Sequence, residues 1–199
     1  METFDTLLQY YISTLGFIIA LYLIQYIFEE FLHADLAKQM ANSDYLTGLP
    51  NRRKIDHELS EQIKNSKEKG IPLTLILFDI DNFKCVNDIY GHDIGDIILQ
   101  EISSVVQSVL PNNMLFGRWG GEEFLLIAPT LNRDEGYSFA EMVRKGIEAY
   151  SFTEVGKITA SFGVSELLVD DSASIDVLKR ADDALYEAKK RGKNQVYSL

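Results

Sequence analysis

Hydrophobic and polar positions alternate in blocks along the chain, and each block predicts an element. Thr6 to Phe28 is a run of 23 uncharged residues bounded by Asp5 and Glu29. Beyond it Phe28, Leu32, Leu36 and Met40 recur every four residues, which continues a helix as an apolar stripe. Asn42-Ser43-Asp44 breaks the pattern. A second helix is predicted over 52–67, with Ile55, Leu59 and Ile63 on one face, and Gly70 closes that unit. Residues 72–78 (PLTLILF) form a near-continuous apolar run, the signature of a strand buried on both faces. A short helix or turn follows over 82–90, and a longer helix over 93–110 carries Ile94, Ile97, Ile98, Ile102, Val105, Val106 and Val109 on one side. Two apolar runs around Gly120-Gly121-Glu122-Glu123 predict a β-hairpin. Helices over 134–150 and 175–191, a strand over 158–165 and an edge strand over 195–198 complete the chain. Helices and strands interleaved around a hairpin place the domain at 44–199 in the α/β or α+β class, with one sheet covered by helices.

The first run is long enough to cross a bilayer, which takes about 20 mostly apolar residues. Tyr10, Tyr11, Tyr22 and Tyr26 lie toward its two ends, as an interfacial aromatic belt does. A signal peptide fits less well, since the run has no basic start and no small-residue cleavage site follows. The competing reading is a soluble helix that pairs two copies, favoured by Thr6, Gln9, Ser13, Thr14 and Gln25 within the run. The nearest flanking cation is Lys38, with Arg52 and Arg53 beyond, which orients the C-terminal side toward the cytoplasm. Five residues precede the run, so no extracytoplasmic sensor is expected there.

The 199 residues suit one domain plus an appendage. A net charge of −11 argues against a nucleic-acid surface, although a divalent cation can still bring a nucleotide to an acidic protein. Cys85 is the single cysteine, which excludes an intrachain disulfide, fits a reducing compartment and reads as a small semi-buried residue.

Charge placement is most informative at the hairpin tip. Glycine permits positive φ or close approach to the backbone there, and Glu122 and Glu123 repel one another unless a cation or a cation-bound polyphosphate sits between them. Asp79 and Asp81 follow the buried strand at its carboxyl end, on one face, with Ile80 turned away. If that strand neighbours the hairpin, Asp79 and the Glu122-Glu123 tip converge into a two-carboxylate site of the kind that serves phosphoryl and nucleotidyl transfer with Mg²⁺. Backbone N–H groups at the helix start near Phe83 and Lys84 make an anion site. Asn87 and Asp96 bracket a nucleobase, and a carboxylate accepts from guanine N1–H and its amino group but not from adenine N1. His92, between Gly91 and Asp93, reads as a helix-start residue rather than a general base.

Taken together these residues resemble the GGDEF domain of diguanylate cyclases, in its G-G-E-E-F form. The resemblance runs from Asp44 to about Val196. It rests on Asp44-Tyr45-Leu46-Thr47-Gly48-Leu49-Pro50-Asn51-Arg52-Arg53, Phe78-Asp79-Ile80-Asp81-Asn82-Phe83-Lys84, and the spaced set Asn87-Asp88, Gly91-His92, Gly95-Asp96. Arg118 with Gly120-Gly121-Glu122-Glu123-Phe124, Ser161-Phe162-Gly163-Val164, and Ala181-Asp182, Ala184-Leu185-Tyr186, Ala188-Lys189 complete it, all in family order.

The resemblance implies a cytoplasmic enzyme that condenses two GTP into cyclic di-GMP. The implied fold is a central, mostly antiparallel sheet wrapped by helices, similar to nucleotidyl-cyclase and polymerase palm domains. It implies that Asp79, the Ile80 carbonyl and Glu122 hold Mg²⁺ (or Mn²⁺ in its place), with Glu123 a further ligand and Glu122 also activating the 3′-hydroxyl. Asn87 and Asp96 read guanine, with His92 beside them. Phe83, Lys84, Lys189 and Lys193 lie where relatives contact phosphates. Position 193 is often Arg in the family, and Lys lacks its bidentate fork. Many relatives carry an R-x-x-D product-inhibition site at positions that here read Pro111-Asn112-Asn113-Met114, so no feedback is expected there. Because one domain holds one GTP, the reaction needs a homodimer, which the N-terminal helix at the cytoplasmic membrane is placed to organise. The alternatives are a catalytically silent GTP-binding module on this fold, a cyclase using adenine, which Asp96 opposes, and a membrane-tethered interaction module.

Overall fold

The computed structural model describes residues 2–199, and the side chains of all of these but Glu2, Leu7 and residues 34–39. It divides into two compact units, residues 1–41 and 42–199. The first is the helix α1 (Glu2–Asn42). Its Thr3–His33 stretch has a mean hydropathy of 1.8 and is long and apolar enough to cross a membrane. The large apolar side chains described along it face outward, Phe17, Ile24 and Phe31 among them. Of the expected stripe, Phe28, Leu32 and Met40 are exposed, while the side chains of Leu36 and Lys38 lie outside the described residues.

The second unit has the expected mixed class. A five-stranded sheet runs in the order β2-β3-β1-β4-β5, formed by β1 (Leu73–Ile80), β2 (Leu115–Arg118), β3 (Glu123–Pro129), β4 (Ala160–Glu166) and β5 (Val196–Ser198). Every pairing is antiparallel except β4 with β5. The helices are α2 (Arg52–Lys69), α3 (Phe83–Tyr90), α4 (His92–Val109), α5 (Arg133–Ala149) and α6 (Ser174–Lys190).

Strand periodicity sorts the core into two layers. Ile76, Phe78 and Ile80 of β1 pack with Ile98 and Ile102 of α4 and with Ala140 and Val143 of α5. Leu73, Leu75 and Leu77 turn to the other face, against Ile55 and Leu59 of α2 and Val177 and Leu185 of α6. Because both faces are covered, all eight residues of β1 are buried, which explains why its sequence reads as a continuous apolar run rather than an alternation. Across the first face Phe78 stacks on Phe124 at 5.1 Å and on Phe162 at 4.7 Å, so one aromatic row ties three strands together.

Several element ends move by one or two residues relative to the sequence reading, and two of these shifts matter to the site. The central strand ends at Ile80 rather than Phe78, because Asp79 pairs in the ladder with Glu123 on one side and Ser161 on the other. Asp79 is therefore part of the strand instead of following it. The later strand begins at Ala160 instead of Ile158, which leaves Thr159 free to turn its hydroxyl toward Asp81.

Candidate active site

The carboxyl end of β1 and the amino end of β3 lie side by side. Their register sets Asp79 opposite Glu123, and the Ile80 amide donates to the Glu122 carbonyl at 3.4 Å. Directly opposed residues of an antiparallel pair share a face, so both carboxylates project from the side of the sheet that carries α6. The convergence inferred from sequence is thus present, with Glu122 at the adjoining turn. Ile80 has a fully buried side chain and can offer a ligand only through its backbone carbonyl.

These acids are short of positive charge. Lys189 of α6 pairs with Asp79 at 2.8 Å. Burial nevertheless pushes the Asp79 carboxyl above its ordinary value, the lysine offsetting part of the effect and Asp81 adding to it. Glu122 and Glu123 are also raised, first by burial and then by the charge of Asp79. Three carboxylates share the charge of one ammonium group, an arrangement that favours a nearby cation. Among the described residues no group of three or more His, Cys, Asp or Glu side chains forms a self-sufficient metal cluster. That donor set fits Mg²⁺, which takes one or two carboxylates and fills the remaining positions with phosphate oxygens and water.

Of the two roles expected for the turn glycines, positive φ and close approach to the backbone, the structure uses the second. Neither Gly120 nor Gly121 adopts a positive φ. A Cβ on Gly120 would stand 2.7 Å from Oε2 of Glu123, and one on Gly121 would meet nothing within 4 Å. The first glycine therefore lets the Glu123 carboxylate fold over the backbone, and the second leaves the tip open.

Of the phosphate candidates, Lys193 meets the start of α3 through Asn82, and Lys189 pairs with Asp79. Asn82, at φ 59, starts α3, and the first-turn amides of that helix, those of Phe83 and Lys84 among them, have no partner inside it. Phe83 is buried in the core, so its contribution is its backbone; the Lys84 side chain is exposed. Lys193 lies in a left-handed turn with Asn194 and donates to Asn82 Oδ1 at 2.5 Å. The base-reading candidates sit on the two packed helices α3 and α4. Asn87 is half-buried, while Asp96 and His92 are exposed. His92 is the first residue of α4, directly after Gly91, whose φ of 87 turns the chain between the helices. Cys85 is exposed rather than semi-buried, because the buried positions of α3 are Phe83 and Val86.

Two participants escape a motif-by-motif reading. Arg118 donates through Nη1 to both oxygens of Asp44 at 3.0 and 3.2 Å, through Nη2 to the Gly121 carbonyl at 2.7 Å, and through Nε to the Gly120 and Gly121 carbonyls. One guanidinium thus fastens the glycine turn to the opening of the domain. Burial works against the Asp44 charge, but Thr47 and Arg118 together hold its carboxyl below the ordinary range. The sequence signal for this pair was an Asp and an Arg in two separate motifs, 74 residues apart. The second participant is Arg52, whose guanidinium lies 4.4 Å from the Trp119 ring centroid beside the hairpin. It counteracts part of the rise at Glu123, to which Asp182 contributes.

The chain matches the family model described as "Diguanylate cyclase, GGDEF domain" over residues 41–195. It is similar to an uncharacterized membrane protein of Staphylococcus epidermidis, 40% identical over 158 residues that cover 77% of this chain and 44% of that protein. A Staphylococcus aureus counterpart is 39% identical with the same coverage, so the chain spans less than half the length of these curated relatives. Among solved structures, the coiled coil and GGDEF domain of DgcB from Caulobacter crescentus, in complex with c-di-GMP, is 30% identical with a TM-score of 0.83 and covers 87% of this chain and 93% of that one. The active GGEEF domain of a diguanylate cyclase from Vibrio cholerae is 36% identical, with a TM-score of 0.72 and coverage of 74% and 96%. Diguanylate cyclase SiaD from Pseudomonas aeruginosa, in complex with its activator SiaC, is 33% identical with a TM-score of 0.78, over 100% of this chain and 78% of that one.

Proposed function

Because the chain belongs to the GGDEF-domain family of diguanylate cyclases, we propose that it condenses two GTP into cyclic di-GMP and two pyrophosphates. The single observation that carries this reading is the register of Asp79 against Glu123, with Glu122 at the adjoining turn.

In this reading each domain binds one GTP. Asn87 and Asp96 receive the guanine, with His92 at the rim. The α3 amides of Phe83 and Lys84, with the ammonium groups of Lys84, Lys189 and Lys193, receive the triphosphate. Asp79, the Ile80 carbonyl, Glu122 and Glu123 hold Mg²⁺, which when bound neutralises the charge that develops on the phosphates. Glu122 accepts the proton of the 3′-hydroxyl. That oxygen forms a bond to the α-phosphorus of the other nucleotide as the bond to the β-phosphate oxygen breaks and pyrophosphate departs. Two such transfers close the ring, so a second copy of the domain must face the first, and holding the two nucleotides in register supplies much of the rate. Arg118 keeps the turn that presents Glu122 anchored to the domain.

Residues 6–28 cross the cytoplasmic membrane, with the domain on the cytoplasmic side. The apolar helix and the relatives named as membrane proteins support this. Residues 1–43 set the dimer geometry, and full activity at nanomolar concentration after their deletion would reject that role. Product feedback at residues 111–114 is absent, and inhibition by micromolar cyclic di-GMP bound there would overturn the claim. Incubating the protein with GTP or ATP and Mg²⁺, beside a Glu122→Ala control, tests the central reading. Cyclic di-GMP from GTP alone, abolished in the control, is the expected result. GTP binding without product would point to a silent module instead.

A further inference from the structure

Asn87 and Gly95 are two separate positions of the α3–α4 pair, and the fold brings them into contact. Gly95 is buried inside α4, a place where glycine is a poor helix former and alanine is the better one. Its φ is not positive, so backbone freedom does not account for it. The surroundings do. A Cβ at Gly95 would stand 1.9 Å from Oδ1 of Asn87, 3.1 Å from its Cγ and 3.3 Å from Cζ of Phe83. The Asn87 amide therefore occupies the space that any other residue at 95 would fill. The helices are held at this distance by their own joint, where the Gly91 amide donates to the Asn87 carbonyl at 2.9 Å and the Gly95 amide to the Gly91 carbonyl at 3.2 Å. With its backbone fixed at that joint, the Asn87 side chain lies across Gly95, the residue before Asp96.

We infer that Gly95 is a specificity-determining positioning residue, which sets the direction of the Asn87 amide and thereby the discrimination of guanine from other bases. The inference rests on the base-reading role proposed for Asn87. A methyl group at 95 meets the end of a short, rotatable side chain rather than backbone, so Asn87 can swing aside and the fold survives. Base recognition, which needs the amide in place, does not. Phe83 needs to give by only a few tenths of an ångström.

The test is a double-mutant cycle on the full-length protein, comprising the parent, Asn87→Ala, Gly95→Ala and the double variant. GTP and ATP binding are measured by equilibrium dialysis, KM and kcat by cyclic di-GMP production, and the thermal midpoint by calorimetry. Gly95→Ala is expected to weaken GTP binding about tenfold while leaving ATP binding unchanged, the size of one lost base contact. The thermal midpoint should not fall and kcat should hold. In the Asn87→Ala background the same substitution should change GTP binding by less than about twofold, because the group it displaces is gone. An equal loss in both backgrounds, or a fall in midpoint that tracks the loss of binding, would make Gly95 a packing residue and overturn the inference. Asn87→Ala binding GTP as tightly as the parent would overturn it as well. A protein that makes no cyclic di-GMP but shows the expected cycle in binding would sustain the inference while the cyclase reading fell.

Discussion

Asp79 and Asp81 stand two residues apart, point to the same face of the sheet and are equally buried, yet they do opposite work. Asp81 is saturated. Its Oδ1 accepts from the Ser161 hydroxyl at 2.7 Å, and its Oδ2 accepts from the Thr159 hydroxyl at 2.7 Å and the Asn194 amide at 3.0 Å. It ties β1 to β4 and to the turn that delivers Lys193. Asp79 has one lysine and two glutamates for neighbours. A buried carboxylate surrounded by donors holds a structure together, whereas one beside other carboxylates is raised in pKa and favours a nearby cation. The residue type is the same, but Asp79 is the penultimate residue of β1, paired with Glu123 and Ser161, while Asp81 lies just past the strand end, within reach of Thr159, Ser161 and Asn194.

The sharpest way to break this comparison is to neutralise the crowded side. Glu122→Gln is expected to slow cyclic di-GMP formation about a thousandfold or more, since it removes the proton acceptor and a charge on the cation together. It should leave the thermal midpoint unchanged or raise it, because one repelling charge is gone. Steady-state turnover and a thermal scan check both halves, and a variant retaining a tenth of the parent rate would remove Glu122 from the chemistry. The reciprocal change, Asp81→Ala, strands two hydroxyl donors and an amide. It should cost about 3 kcal/mol of stability, which lowers the midpoint by roughly 6–12 °C in a domain of this size. A stable Asp81→Ala protein with no turnover would invert the assignment.

Arg118→Lys probes the same contrast one step away. It keeps the charge but loses the fork that joins Asp44 to the glycine carbonyls, and kcat should fall about tenfold with little change in GTP affinity. An unchanged kcat would show that the turn holds its shape without the clamp.

The smallest effect concerns a third acid, at the far end of α6. The paired guanidinium of Arg180 holds Asp171 below the ordinary carboxylate range, at contacts of 2.5 and 2.6 Å. The sign follows from the direction of the shift: this stabilisation is complete above the unfolded value of about 3.9 and is lost as pH falls through the lower folded value. Asp171→Asn should therefore flatten the loss of stability below about pH 4 without touching turnover at neutral pH. Denaturation curves across the acid range measure it, and an acid limb as steep as the parent's would show that other carboxylates dominate.

Much of the fold was legible because its elements announce themselves locally. The apolar run of β1, the four-residue stripe after Phe28 and the glycine turn each lie within a short window. The differences lie where packing or strand pairing decides. Asp79 was read as following a strand because nothing within ten residues reveals that Glu123 and Ser161 would pair with it. Of the two roles open to Gly120 and Gly121, positive φ or close approach to the backbone, Gly120 takes the second, with the Glu123 carboxylate as the approaching group. Cys85 was read as semi-buried, and the rotation of α3 set by Phe83 and Val86 exposes it. Arg118 could have been found by asking which cation balances Asp44.

The sequence by itself determined the order of helices and strands, the family and the inventory of acids, glycines and lysines that the chemistry needs, because local periodicity and short motifs carry that information. Which of two neighbouring aspartates is saturated by donors and which is set among other carboxylates was decided only by the tertiary structure. The donors that satisfy Asp81 come from 80 and 113 residues away. The pairing of β1 with β4 brings one and the turn after α6 the other, while the pairing of β1 with β3 sets Glu123 beside Asp79.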